Sequence, residues 1–165
     1  MNVETKLVEL GLKLPVAPKP VGNYLAFVRT GSLLFLSGQF PIADGALQYT
    51  GRVGAELTDK QGDAAARLAA LNVLAQIHSA LGGFDRLESL VRVEGHVAAA
   101  PGWHNTPKVL DGASDLFVAV LGKQGKHARV AFNPPSLPLN AAVELVVTAA
   151  VKPRRTVEKT QKSRN

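Results

Sequence analysis

Cysteine is absent from this 165-residue chain, and no apolar run in it is long. Without cysteine, the protein has no disulfide framework, no thiolate nucleophile and no cysteine-ligated zinc or iron–sulfur centre. Its apolar stretches fall short of the roughly 20 residues that a bilayer-spanning helix needs. The opening segment, MNVETKLVEL, carries acids and lacks the apolar core of a signal peptide. These absences favour a cytoplasmic protein with no membrane-spanning segment.

The surplus of positive charge, +6 over the whole chain, is concentrated at the C-terminus. Residues 152–165 carry six basic side chains and one acid, a sum of +5, so the other 151 residues sum to +1. The basic segment has no aromatic residue and no apolar periodicity, as is typical of a solvated tail. We therefore expect a disordered tail at residues 153–165 after a single domain at residues 1–152. The nearly neutral body argues against nucleic acid as a partner.

Apolar periodicity and end signals predict three helices. The first is a short N-terminal helix in VETKLVELGLK, part of an extension over residues 1–20. The longest begins at Thr58, which can form a capping box with Gln61, and ends at Gly82-Gly83. Within it, leucine and isoleucine recur every three or four residues. A third helix is predicted over VLDGASDLFVAVLG, with Gly122 as its end.

Strands are predicted before, between and after these helices. YLAFVRTGSLLFLSGQF is typical of a hairpin that turns at Gly31. LESLVRVEGHVAAA contains a strand with valines at even spacing, and two further strands, 128–133 and 142–151, close the domain. The pattern indicates an α+β fold, a mixed sheet with two helices packed on one face. The last strand is apolar on both faces except at Glu144, which favours burial of the second face in a subunit interface.

Several familiar kinds of site are missing from the sequence. DGASDL is not a nucleophile elbow, since Leu116 stands where that motif needs its second glycine. No glycine-rich phosphate loop of standard spacing occurs, and the four histidines show no metal-binding spacing. We therefore expect no metal site. His104, beside Trp103, is a candidate for lining a cleft, and His78 on the long helix is expected to be structural.

Two single charges interrupt apolar segments near the C-terminus. Arg129 stands at the head of the strand 128–133, and Glu144 lies among apolar neighbours in the last strand. A carboxylate buried in this way needs a partner. The two residues could form a structural ion pair across a hairpin. They could instead form a site in which the arginine binds a carboxylate and the glutamate handles a water molecule.

Several segments, taken in order, resemble the Rid family of reactive-intermediate deaminases, also called YjgF-type or endoribonuclease L-PSP proteins. Arg129, Leu137-Pro138 and Glu144 match the family's C-terminal signature. VGNYLAFVRTGSLLFLSGQFPI, with Tyr24 and the triplet Ser37-Gly38-Gln39, is similar to its N-terminal block. AARLAALNVLAQIHSALGGFDRLESLVRVEGHV is similar to its long helix and following strand. LDGASDLF and GKHAR resemble a divergent branch of the family.

The resemblance, which runs from residue 21 to residue 152, implies a chorismate-mutase-like α+β fold and a homotrimer with clefts between subunits. It also implies an activity, the hydrolysis of 2-imino or enamino acids to 2-keto acids and ammonia, without a cofactor. In this expectation Arg129 binds the substrate carboxylate, and Glu144 orients or activates the attacking water. Ser37 and Tyr24 line the cleft, with Tyr24 coming from the neighbouring chain.

Two departures from the family pattern bear on the substrate. The segment VAFNPP follows Arg129 directly, so Val130 stands where the deaminase group has serine. The segment also ends in a double proline, which that group lacks. Asp111 stands where that group has asparagine, and we count it among the expected substrate-binding residues. A second carboxylate near Glu144 would raise the pKa of one of the two. A non-enzymatic trimer that binds a small carboxylic acid is therefore the alternative hypothesis. Ribonuclease activity is a weaker third, because the body is nearly neutral and has few aromatic residues to stack on bases.

Overall fold

The computed structural model of the protein describes residues 2–20 and 22–153. In this part of the chain the elements are α1 (Val3–Glu9), β1 (Phe27–Thr30), β2 (Leu33–Gln39), β3 (Ile42–Ala43), β4 (Ala46–Leu47), α2 (Asp59–Leu81), β5 (Leu87–Val97), α3 (Thr106–Leu121), β6 (Ala128–Phe132) and β7 (Val143–Val151). Short 3-10 turns at Gly122–Gly125 and Pro138–Asn140 precede β6 and β7. The basic segment from residue 154 onward lies outside the described residues, so its disorder stays a prediction.

Five of the strands form one mixed sheet in the order β1-β2-β7-β5-β6. Neighbours are antiparallel except β5 and β6, which are parallel and are connected through α3. β3 and β4 form a separate two-stranded ribbon. β6 and β7 are not neighbours, because β5 lies between them. The hypothesis of an ion pair between Arg129 and Glu144 across a hairpin is therefore wrong.

The connection from β6 to β7 accounts for this arrangement. It contains Pro134, Pro135 and Pro138, none of which can donate a backbone N–H to a sheet ladder. The connection makes loop contacts instead, and the Ala99 N–H donates to the Pro134 carbonyl at 3.1 Å. The chain therefore does not turn straight back beside β6. β7 enters the sheet between β2 and β5 and pairs with both.

Helices α2 and α3 pack on one face of the sheet and bury it. In β7 the odd-numbered residues from Val143 to Val151 face the helices and are at most 1% exposed. Fully burying a valine or leucine side chain contributes about 1.5–3 kcal/mol, so this alternation fixes the register of the strand. The even-numbered residues of β7 are half-buried on the opposite face. That surface, here called the open face, continues onto the other strands, where Val28, Phe35 and Phe132 are exposed.

The long helix α2 begins and ends as predicted. The Thr58 hydroxyl accepts a hydrogen bond from the Gln61 backbone N–H, and the Gln61 side chain accepts one from the Thr58 N–H at 2.9 Å. At the other end Gly82 has a φ of 71°, a left-handed conformation that glycine adopts without steric penalty. The predicted hairpin is also confirmed, since β1 and β2 pair antiparallel around Gly31.

Helix α3 begins at Thr106, before the predicted start at Val109. Pro107 occupies its first turn, where a missing N–H and a fixed φ are no disadvantage. The Thr106 hydroxyl hydrogen-bonds the Asn133 side chain, which ties the start of the helix to the end of β6. The helix ends before Gly122, as predicted. None of the helices in the described part of the chain has the length and apolar character to cross a membrane.

Candidate functional site

Arg129 and Glu144 lie on opposite faces of the sheet. Glu144 is on the open face of β7, opposite His96 of β5. Arg129 is in register with Val93, which is buried under the helices, so the arginine side chain lies on the helix side of β6. There it meets Asp111 of α3. A cleft that contains both Arg129 and Glu144 therefore needs parts of two chains.

The Glu144 carboxylate occupies a half-buried position. Within the described residues no hydrogen bond reaches it. Burial raises the pKa of Glu144 above its usual value, and the nearby His96 partly opposes this effect. Gly38 of β2 provides the space, because a methyl group at that position would overlap the carboxylate. A carboxylate with a raised pKa and free lone pairs is suited to accept a proton from a bound water.

A cavity of about 30 Å³ adjoins Gly38. Tyr24 and Ser37, both predicted as site residues, line it together within one chain. The Ser37 hydroxyl donates to the Leu25 carbonyl at 2.7 Å, which fixes its orientation. Gln39 is 5% exposed and donates to the Ser37 carbonyl at 2.9 Å. The cavity has room for about two water molecules. The expectation that Tyr24 lines the cleft of a neighbouring chain stays a prediction.

Three hydrogen bonds tie the Arg129 guanidinium to α3. Nη1 donates to Asp111 Oδ1 at 3.1 Å and to Ser114 Oγ at 3.0 Å, and Nη2 donates to the Pro107 carbonyl at 3.2 Å. The Arg129 side chain is 25% exposed. Of the five guanidinium N–H groups, two, including Nε–H, make no hydrogen bond within the described residues. This edge of the guanidinium is therefore available to a carboxylate.

Ser114 and His127, which the sequence analysis did not single out, extend this network. His127 Nδ1 lies 2.7 Å from the Gly125 carbonyl, which can only accept, so this nitrogen carries a proton. Burial lowers the pKa of His127; the Gly125 hydrogen bond opposes this, and Arg129 adds to it. A neutral ring leaves Nε2 as the acceptor for the Ser114 hydroxyl at 3.1 Å. Ser114 thus connects an imidazole to the guanidinium.

The sequence offered uneven signals for these further residues. Gly38 lies between the polar residues Ser37 and Gln39 at the end of a predicted strand. A glycine in a strand often marks a site where another group approaches the backbone closely, and this was the one sign of it in the sequence. His96 and His127 carry no comparable mark, because their partners come from other elements. His104 lines a surface cavity of about 330 Å³ beside Trp103, in agreement with its sequence context. In the described part of the chain, no group of three or more His, Asp or Glu side chains converges as metal ligands would.

The two-layer fold recurs in known proteins. Residues 4–151 match the family described as "YjgF/chorismate mutase-like, putative endoribonuclease". The chain belongs to the YjgF/Rid family. Within this family, protein TCP17 of Trypanosoma cruzi is 42% identical over 145 residues, which are 87% of this chain and 91% of that protein.

Solved structures that the chain resembles agree with this assignment. A protein from Shewanella oneidensis, named as an endoribonuclease, is 39% identical with a TM-score of 0.89, covering 91% of this chain and 99% of that one. Atu1372 of Agrobacterium tumefaciens, of unknown function, is 39% identical with a TM-score of 0.86, covering 91% and 92%. RidA from a Psychrobacter species, at 24% identity, and Escherichia coli TdcF with bound serine, at 20%, have TM-scores of 0.59 and share the fold alone.

Proposed function

We propose that the protein is a homotrimer that binds small carboxylates and hydrolyses reactive 2-imino or enamino acids to 2-keto acids and ammonia. The environment of Glu144 carries this proposal. Its carboxylate is half-buried, has a raised pKa and lies in a space left by Gly38. A half-buried carboxylate without a hydrogen bond costs stability, so a glutamate kept in this position is better explained by a role in chemistry than by a role in the fold.

The proposed reaction needs one base that moves two protons to the nitrogen in turn. The Glu144 carboxylate accepts a proton from water as the water oxygen bonds to the imine carbon, and passes it to the nitrogen to give a carbinolamine. The carboxylate then moves the hydroxyl proton to the nitrogen as the carbon–nitrogen bond breaks, so ammonia leaves and the keto-acid carbonyl forms. One water is consumed and one ammonia is released, so the reaction balances without an oxidant, a reductant or a cofactor.

Arg129 binds the substrate carboxylate in this proposal. Its two remaining N–H groups match the two oxygens of a planar carboxylate, as guanidinium geometry favours. Asp111 and Ser114 hold the guanidinium from the α3 side. We assign Asp111 to the substrate-binding group for this reason, together with Tyr24 and Ser37 beside Gly38.

The open face supports an assembly of several chains. Val28 is 51% exposed, and Phe35 and Phe132 are each 43% exposed, on a sheet face that no helix of the described chain covers. Large apolar side chains grouped on one face are typical of a subunit interface. Because β6 is an edge strand, a neighbouring chain can bring its Arg129 to the open face that carries Glu144. Each cleft would then contain one residue from each chain.

A binding protein without catalysis is the second candidate, and the pair of Arg129 with Asp111 favours it. A guanidinium whose charge is partly compensated by a carboxylate at 3.1 Å attracts a substrate carboxylate less strongly than a free one. Such a trimer would hold a small carboxylic acid as a regulatory signal. An endoribonuclease, the activity in the family's description, has less support, because the 151 residues before the basic segment carry a net charge of only +1.

An assay for keto acid and ammonia release from freshly generated 2-imino acids separates these candidates. We expect turnover by the natural protein, and a loss of about 10²- to 10⁴-fold in Glu144→Gln, the usual contribution of a positioned base. Glu88→Gln, an exposed position on β5, is the matched control and keeps full activity. Binding of pyruvate without any turnover would favour the binding protein, and the absence of both would contradict both candidates.

A further inference from the structure

His96 and Glu144 form a cross-strand pair on the open face. In the antiparallel register of β5 and β7, His96 lies directly opposite Glu144. Residues in this relation have their Cβ atoms about 5 Å apart, within reach of an attraction between an imidazolium and a carboxylate. The flanking residues Val97, Val143 and Leu145 are buried against the helices. Both polar side chains therefore lie on the face away from the helices.

Phe132 holds the imidazole in place. The parallel register of β5 and β6 sets Phe132 beside His96. Their rings stack with centroids 4.9 Å apart and an angle of 21° between the planes. Rotation of the imidazole out of this position would lose the stacking contact. The ring is thus fixed between β6 and β7, next to the carboxylate.

The other charges near Glu144 do not compete for this role. On the open face of β5 and β7 around Glu144, the charged or titratable side chains besides His96 and Glu144 are Arg92 and Glu94. Lys19 and Tyr24 line the cavity beside Gly38, but the charge that acts on the Glu144 carboxyl is that of His96. Arg92 donates to Glu94 at 2.8 Å, so these two compensate each other. Gly38 of β2 and Phe132 of β6 contribute no charge. His96 is therefore the cationic group placed to act on Glu144.

We propose that His96 is a positioning residue for Glu144: the positively charged form of its ring, opposite the carboxylate across the strands, keeps that carboxylate ionised and oriented over Gly38. Burial favours the protonated carboxyl, so an unpaired Glu144 would lose its charge early as the pH falls, and with it the capacity to accept a proton. The cross-strand cation opposes this loss. The use of Glu144 as a base rests on the proposed function, whereas its pairing with His96 does not.

A titration of the Glu144 carboxyl tests the pairing directly. Carbon-13 NMR follows the carboxyl resonance with pH, and Glu144→Gln assigns it. In His96→Phe the ring still stacks on Phe132 but the positive charge is gone, so we expect the midpoint for Glu144 to move to higher pH. His104→Gln, at an exposed histidine, leaves the midpoint unchanged. Equal midpoints in the natural protein and His96→Phe would overturn the proposal.

The pH dependence of turnover is a second readout that a merely structural residue would not move. At about pH 5, near the range in which carboxyl groups titrate, His96→Phe loses activity several-fold relative to the natural protein. Well above the midpoints that the titration gives for Glu144, the two proteins have equal rates. If thermal melts show that His96→Phe does not fold, His96→Gln takes its place in both measurements. If the natural protein shows no turnover, that result contradicts the proposed function. The NMR titration still tests the pairing of His96 with Glu144 in that case.

Discussion

Glu144 is the residue at which stability and the proposed function oppose each other. Burial raises the pKa of its carboxyl, so the folded protein binds a proton there more readily than the unfolded chain does. Linkage then requires that stability is lost as the pH rises through that raised pKa. The cost is fully present above the raised pKa and vanishes below the ordinary pKa of a glutamate carboxyl, where both states are protonated.

Glu144→Gln keeps the shape of the side chain and removes the charge. We expect the variant to be more stable than the natural protein near pH 7 by about 0.5–2 kcal/mol, the usual gain of a single stabilising change. Near pH 3 the two should be equal, because both side chains are then uncharged. Urea denaturation at both pH values measures the difference, with Glu88→Gln as the control. A loss of stability near pH 7 would mean that Glu144 has a structural partner.

Arg129 combines contacts within the chain with two available N–H groups. We expect Arg129→Ala to weaken the binding of pyruvate by about 1.5–3 kcal/mol, the range for hydrogen bonds to charged groups, which is on the order of 10- to 100-fold. The melting temperature should fall as well, because the variant loses three hydrogen bonds to α3. Titration calorimetry and thermal melts measure the two effects separately.

Arg29→Ala is the control for this change. Arg29 lies on β1, at the opposite edge of the sheet, where its side chain donates to the Gly31 carbonyl. The Arg29→Ala variant should bind pyruvate with the same affinity as the natural protein. If Arg129→Ala has a lower melting temperature but binds pyruvate with unaltered affinity, Arg129 only holds β6 against α3.

At the scale of secondary structure, local signals decided what the sequence could predict. The ends of α2 follow from Thr58, Gln61 and Gly82, because a capping box and a left-handed glycine depend on residues close together in the chain. In β7, by contrast, both faces are mostly apolar, so the sequence does not show which residues are buried against the helices. The order of the strands could not be predicted in this way, since the pairing of distant segments leaves no local period in the sequence.

The candidate site shows the same limit. Arg129 and Glu144 could be identified as candidates because each is a single charge in an apolar segment. The residues that surround them in the structure could not be predicted from the sequence. The five residues of β6 are too few for alternation to show that Arg129 faces the helices. Its partner Asp111 is 18 positions away on another element. His96 becomes a neighbour of Glu144 only because β7 inserts beside β5.

The capping box of α2 gives a prediction at this scale. Thr58→Ala removes the side-chain acceptor for the Gln61 backbone N–H, and we expect it to lower the free energy of unfolding by about 1 kcal/mol. Chemical denaturation measures this change. Thr58→Ser keeps the hydroxyl and should retain most of the stability. A Thr58→Ala variant as stable as the natural protein would show that packing alone fixes the start of the helix.

For the whole molecule, the open face predicts the oligomeric state. We expect a trimer of about 52 kDa, three chains of 17.4 kDa, because the exposed apolar side chains of the sheet need a partner surface. Phe35→Asp should dissociate it, since a charge would be buried at the interface. Val118→Asp, at an exposed position of α3, should not. Light scattering that returns a stable monomer of the natural protein at micromolar concentration would contradict the interface and the shared cleft.

The basic tail gives the second prediction for the whole molecule. Removing every residue after Pro153 should leave folding, assembly and pyruvate binding essentially unchanged, because the segment has no apolar periodicity with which to bury itself. Thermal melts, light scattering and calorimetry of the shortened chain check the three properties. Loss of the trimer or of binding would show that the tail is a functional arm.

The central position of β7 also has a consequence for folding during synthesis on the ribosome. β7 is synthesised last among the strands, yet it is the one that joins β2 to β5, and Leu33 pairs with Ala150. Until it leaves the ribosome, β1 and β2 cannot be linked to β5 and β6, and the sheet stays in two pieces. Contacts between residues so far apart in sequence make folding slow. The nascent chain therefore exposes unpaired strand edges through most of its synthesis, and such edges are prone to pair with other chains and aggregate.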